Sequence, residues 1–275
     1  VFLQKRGEVF IQKCYLASAF GVGSGTQFQS PPDRNYSCYW LFFGHHVQEN
    51  IDREKFKRQL EKKRNLLVLT PIFGSVLFIV LYFVATLFYP GGSQVDPDSI
   101  GFSWTDNYWC NLLNDYAING QPNPAKPIAV AGMCVLCLTL SFFWLLFPNH
   151  VNIRKPIGLL IQISAILAMT IALFLFTTID HDLITNLASV FGLIATTGTF
   201  IGLFKAKWYG LFAFGLLNIL LVGLNNYVYY NKGLIFYLPI IQKISFMSFL
   251  VWVCSIDIKI YRVTLTTIKP RQNNR

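Results

Sequence analysis

Residues 66–90 read LLVLTPIFGSVLFIVLYFVATLFYP, a run with no charged side chain. An apolar stretch of about 20 residues crosses the hydrocarbon core of a bilayer as a helix. Lipid offers no partner to a backbone amide, so a run of this kind has to close its own hydrogen bonds. Pro71 stands near the start, where a missing N–H is tolerated. Five more runs follow, at 127–147, 157–178, 183–204, 208–229 and 234–256. Pro239 sits early in the last of them, as Pro71 does in the first. The expected fold is all-α: a polytopic membrane protein whose six transmembrane helices form a bundle.

Composition agrees. The chain is 53% hydrophobic and 13% charged, against about 25% charged in an ordinary soluble domain. Its net charge of +10 could suggest nucleic acid. The distribution argues against that partner. Arg53, Lys55, Lys57, Arg58, Lys62, Lys63 and Arg64 precede the first run. Arg154 and Lys155, then Lys205 and Lys207, then Lys259, Arg262, Lys269, Arg271 and Arg275 lie at alternate helix ends. The opposite ends carry only Lys126 and Lys232, beside Asp96, Asp98, Asp106, Asp115, Asp180 and Asp182. Basic flanks face the cytoplasm in membrane proteins, so both termini are expected there.

Four segments follow. Residues 1–50 read as a poorly ordered extension or an inaccurate start, because Gln12 and Lys13 break the only early apolar stretch and a signal peptide needs a cleaner one. Residues 51–65 suit a basic cytoplasmic helix beside the membrane, 66–258 the six-helix domain, and 259–275 a basic cytoplasmic tail. His45 and His46 are adjacent but lack a ligand set, so no metal is expected. Cys134 and Cys137 form a CxxC inside an apolar run, where two small buried thiols are the plainer reading. No cofactor is implied.

Between the first two runs lies GFSWTDNYWCNLLNDYAINGQPNPAKP, residues 101–127. It is too long for a minimal connector and too aromatic for a solvated linker. Trp104, Tyr108 and Trp109 suit the lipid–water interface. Residues 103–116 are compatible with a short surface helix whose shared face would hold Trp104, Tyr108, Asn111, Leu112 and Asp115. NGQPNPAKP then breaks it.

Polar groups at membrane depth are costly and mark candidate sites. Gln242 and Lys243 lie one to two turns into the sixth run. Lys243 either snorkels to the surface or pairs with an Asp of the aromatic side. Asp180, His181 and Asp182 open the fourth run, and Asn186 shares a helix face with Asp182. Asn225 and Asn226 close the fifth. With Trp104, Asp106 and Trp109, these residues would form a pocket for a lipid headgroup or a small polar ligand: Lys243 binding an anion, the amides orienting it, the aromatics covering it. One alternative is a purely structural or interaction protein. Another is a membrane hydrolase with His181 as base beside Asp180 or Asp182, but no HxxxH, HExxH or GxSxG is present and Asp at a helix start is ordinary capping. No catalytic residue is assigned.

The segments FSWTDNYWCNLLNDYAINGQPNPAKPIAVAGM, DHDLITNLASVFGL and NNYVYYNKGLIFYLPIIQKISF resemble a family of six-span prokaryotic membrane proteins, domain of unknown function 998. They are more loosely similar to FRAG/DRAM-type six-span proteins. The resemblance covers residues 62–262. It implies a six-helix bundle in a bacterial plasma membrane and carries no activity.

Overall fold

The computed structural model describes residues 56, 67–151, 153–176 and 181–268. The proposed extension at 1–50, the His45–His46 pair and the basic segment at 51–65, residue 56 apart, lie outside the described residues. All the others belong to one unit, Gln59–Arg275.

The six expected helices are present: α1 (Thr70–Leu87), α2 (Lys126–His150), α3 (Lys155–Ala172), α4 (His181–Lys205), α5 (Tyr209–Tyr230) and α6 (Leu238–Ile268). All six are long and apolar enough to cross a membrane. Pro71, Pro127 and Pro156 stand in the first turns of α1, α2 and α3, where a missing N–H costs nothing. Short 3-10 turns sit in the loop at Trp109–Leu113, after α3 at Leu173–Phe176, and before α6 at Ile235–Tyr237. Two boundaries differ from the hydropathy reading. α3 gives way to its 3-10 turn at Leu173. α6 runs past residue 258, through Lys259 and Arg262, to Ile268, because a basic residue ends an apolar window without ending a helix.

Consecutive helices pack on one another, and α6 returns to α1 and α2. Small residues set the close approaches. A Cβ on Gly74 of α1 would strike Thr139 of α2, and one on Gly198 of α4 would strike Ile161 of α3. Small residues let membrane helices approach where lipid supplies no hydrophobic drive. Two tryptophans add polar ties. Trp144 of α2 donates to the Thr199 hydroxyl of α4 at 3.1 Å, and Trp252 of α6 donates to the Leu211 carbonyl of α5 at 2.7 Å. Phe78 of α1 lies 5.6 Å from Phe246 of α6, which closes the bundle.

The helix surfaces are apolar. Phe73, Leu138 and Leu220 are exposed. In water such a surface would aggregate; facing lipid it is in its proper solvent. α5 shows the least cover. Its Gly215 meets Phe200 of α4 and Trp252. Nearer its end, Ile219, Val222, Asn226 and Tyr229 are exposed.

Candidate functional site

The site is built where the α1–α2 loop meets α6. The loop leaves α1 through Pro90-Gly91-Gly92. Gly92 has φ +81°, and a Cβ there would collide with the Asn119 backbone, so only glycine fits. A bridge joins Gly91 to Ile100, and the Gly92 N–H donates to the Ser99 carbonyl at 2.7 Å.

Residues 103–116 do not form the expected surface helix. They contain one 3-10 turn, Trp109–Leu113. Nor do the five residues share a face: Leu112 is fully buried, Asn111 is buried, and Trp104 and Asp115 are exposed. Asparagine side chains took the backbone groups that a helix would have used. Asn107 is fully buried. Its Oδ1 accepts from the Ser103 N–H at 2.8 Å and its Nδ2 donates to the Gly92 carbonyl at 2.8 Å. Asn111 Oδ1 accepts from the Tyr108 N–H at 2.6 Å. Asn123 Nδ2 reaches the carbonyls of Asn111, Leu112 and Asn114, and its Oδ1 accepts from the Ala125 N–H at 3.1 Å, just before α2. The amides in this stretch therefore serve the loop's own backbone.

The aromatics attach that loop to the helices. Trp109 was expected at the lipid–water interface. It is buried instead, 5.4 Å from Tyr82 and 6.0 Å from Phe78 of α1, and 5.5 Å from Phe246 of α6. Burying its ring against three others returns more than an interfacial position would. Trp104 keeps the expected exposure, 6.1 Å from Phe83 and 5.6 Å from Phe102.

Lys243 neither snorkels nor forms a close ion pair with an Asp. It is 8% exposed. Its Nζ donates to the Asn107 carbonyl and, at 3.1 Å, to the Pro239 carbonyl one turn back. It also stands 5.7 Å from the centre of the Phe102 ring, within cation–π range. Carbonyls and a ring face replace its water shell, which is how a buried ammonium is tolerated.

Asp106 lies close enough for Lys243 to act on it electrostatically. Its Oδ2 accepts from the Ser103 hydroxyl at 2.6 Å and from Thr105 at 2.8 Å. These two hydroxyls, and then the Lys243 charge, hold its carboxyl below the ordinary 3.8. A carboxyl with a lowered folded value stabilises the fold above its ordinary value, and loses that contribution as pH falls through the folded one. Loop stability, followed by tryptophan fluorescence on heating, should decline below about pH 4. Asp106→Asn should flatten that limb of the profile.

Gln242 Nε2 lies 3.8 Å from the Cys110 sulfur, and burial pushes the Cys110 thiol up, so it stays protonated. Two polar atoms beside this contact have no partner: the Trp109 indole N–H and the Gln242 Oε1. Phe246, one turn after Gln242, touches Trp109, so both residues lie along the contact between the loop and α6.

The structure thus gathers Trp104, Asp106, Trp109, Gln242 and Lys243 around the loop. Asn225 donates to the Ser245 hydroxyl of α6 at 2.6 Å. Asn226 is exposed and donates to its own helix at Val222. Asn186 is exposed on α4. Asp180 and the side chains of His181 and Asp182 lie outside the described residues, and with them the hydrolase reading. Among the described residues no group of three His, Cys, Asp or Glu side chains could hold a metal.

Sequence reasoning overlooked Asn107 and Asn123, and it placed Asn111 on a surface-helix face rather than inside the loop. Asn123 stands between two prolines, a turn signal, but Asn107 and Asn111 keep a helix-like spacing of four and gave no such sign.

Six lipid-facing helices under a folded aromatic loop define an integral, multi-pass membrane protein. Compared with known proteins, the chain matches no family model, and no curated protein or solved structure matches it.

Proposed function

We propose that this protein recognises the polar headgroup of an outer-leaflet lipid in the niche between the loop and α6. The observation that carries the reading is the unused pair, the Trp109 N–H and the Gln242 Oε1, both sealed from solvent. A buried polar group without a partner costs about 1–3 kcal/mol. A ligand group that both accepts and donates, such as a hydroxyl, relieves both. Lys243 is already engaged by two carbonyls, so the contact chemistry at the niche is neutral. The basic flanks of the opposite helix ends support an outer position for the loop. The likeness to domain of unknown function 998 belongs to the same proposal and rests on the loop motif.

Trp109→Phe keeps an aromatic ring and removes the N–H. Native mass spectrometry of the protein released from detergent should show a copurified lipid. Its occupancy should fall roughly ten-fold in the variant, as one lost hydrogen bond with a stranded partner implies. A wild-type protein free of lipid, or a variant that keeps its lipid, would leave the structural reading in possession. That second reading has its own support, because Asn107, Asn111 and Asn123 are spent on the loop itself.

A further inference from the structure

Asp257 lies at the end of the bundle away from the loop. The hydropathy reading placed it just beyond the sixth span, yet it is inside α6 and 3% exposed. Nineteen residues separate it from Leu238, about 28 Å of helix, which is close to the full thickness of a hydrocarbon core. Its Oδ2 is sealed and has no hydrogen-bond partner. A second polar atom in the same seam is the Ser75 hydroxyl of α1, 2% exposed, with the weakly polar Cys254 thiol as its neighbour. α1 and α6 pack directly. Cys254, one turn before Asp257, has the Ser75 hydroxyl and the Asp257 carboxylate as neighbours.

No positive group answers this carboxylate among the described residues. On α6, Lys259 and Arg262 are exposed and Tyr261 is half-buried. From α2, the His150 ring contacts the Leu146 carbonyl of its own helix at 2.9 Å. Tyr82, the titratable side chain of α1, contacts the Met133 sulfur. Lys205, Lys207 and Tyr209, around the α4–α5 turn, are exposed. Keeping a buried carboxylate ionised with no positive partner is costly, which favours a bound cation or proton at this oxygen.

We propose that Asp257, with the Ser75 hydroxyl, forms a monovalent-cation site in the α1–α6 seam, filled by a proton or by Na+. A proton neutralises the carboxyl and leaves an O–H donor for an oxygen neighbour. Na+ takes oxygen ligands, of which the carboxylate and the hydroxyl are two. The site is independent of the loop niche and uses none of its residues.

The test is thermal unfolding of the full chain in detergent at pH 6 and pH 9, with choline or Na+ as the chloride salt at equal ionic strength. In choline the wild-type midpoint should fall by about 5 °C or more at pH 9, because the proton leaves. Na+ at pH 9 restores the midpoint if it is an occupant; no restoration identifies the proton as the sole occupant. Asp257→Asn, neutral at both pH values, should lose this pH- and Na+-dependent component. A wild-type midpoint indifferent to both variables overturns the proposal, and so does an Asp257→Asn protein that responds as wild type does. If Asp257→Asn does not reach the membrane, Ser75→Ala decides: the half-point of the wild-type response, in pH or in Na+, should move at least several-fold in concentration, and an unmoved half-point overturns the site.

Discussion

Lys243→Met should lower the thermal midpoint of the purified protein by about 6–12 °C, corresponding to about 3 kcal/mol at the scaling usual for chains of this size. Hydrogen bonds to a charged group contribute about 1.5–3 kcal/mol each. Lys243 makes two, to Asn107 and Pro239, and adds the Phe102 ring face. Methionine fills a similar volume and saves the cost of burying an ammonium, which offsets part of the loss. It also strands the Asn107 carbonyl and removes one tie between the loop and α6, leaving the Trp109–Phe246 contact in place. The loss should therefore show locally as well as globally, with protease cutting first between residues 92 and 123. A change under about 1 kcal/mol would mean the ammonium reaches water and its two carbonyl contacts contribute little.

Gly74→Val should be as damaging, for a different reason. A Cβ at Gly74 falls on the Thr139 hydroxyl, and the rest of that side chain is also within contact. The hydroxyl is fixed by its own bond to the Val135 carbonyl at 2.6 Å. Valine would force α1 and α2 apart along a tightly packed seam. Overpacking of this kind costs about 1–3 kcal/mol, occasionally more, and the branched side chain places this case at the upper end. The pair offers its own control. Thr139→Ala removes the struck atoms, so Gly74→Ala in that background should recover more than half of what Gly74→Ala loses alone. Unfolding midpoints of the four proteins form a double-mutant cycle. Additive losses would show that the two positions do not touch.

The bundle was legible because each helix is written as a long, largely apolar run, and desolvation leaves no other way to cross lipid. The long loop was legible as ordered and aromatic, but its internal geometry was not. Trp109 has the composition of an interfacial residue, and only the proximity of Phe78, Tyr82 and Phe246 draws it inside. Those three come from two helices far apart in sequence. Asn123 looks like a turn residue, which it is, but the carbonyls that it and Asn107 satisfy are set by tertiary closure. Lys243 was recognisable as anomalous, while its partners are backbone atoms and leave no trace in residue identity. Asp257 was missed because an apolar window stops at the first cluster of charges. The α6 helix does not stop there, and burial follows helix geometry.

The contact between Lys243 and Asn107 spans 136 residues, about two thirds of the stretch described between residues 67 and 268. Its second partner belongs to α6, which is synthesised after the other five described helices. The loop can acquire its asparagine bonds soon after α2 enters the membrane, but its final latch must wait until synthesis of α6. A chain cut short before α6 therefore carries a loop without its lysine latch.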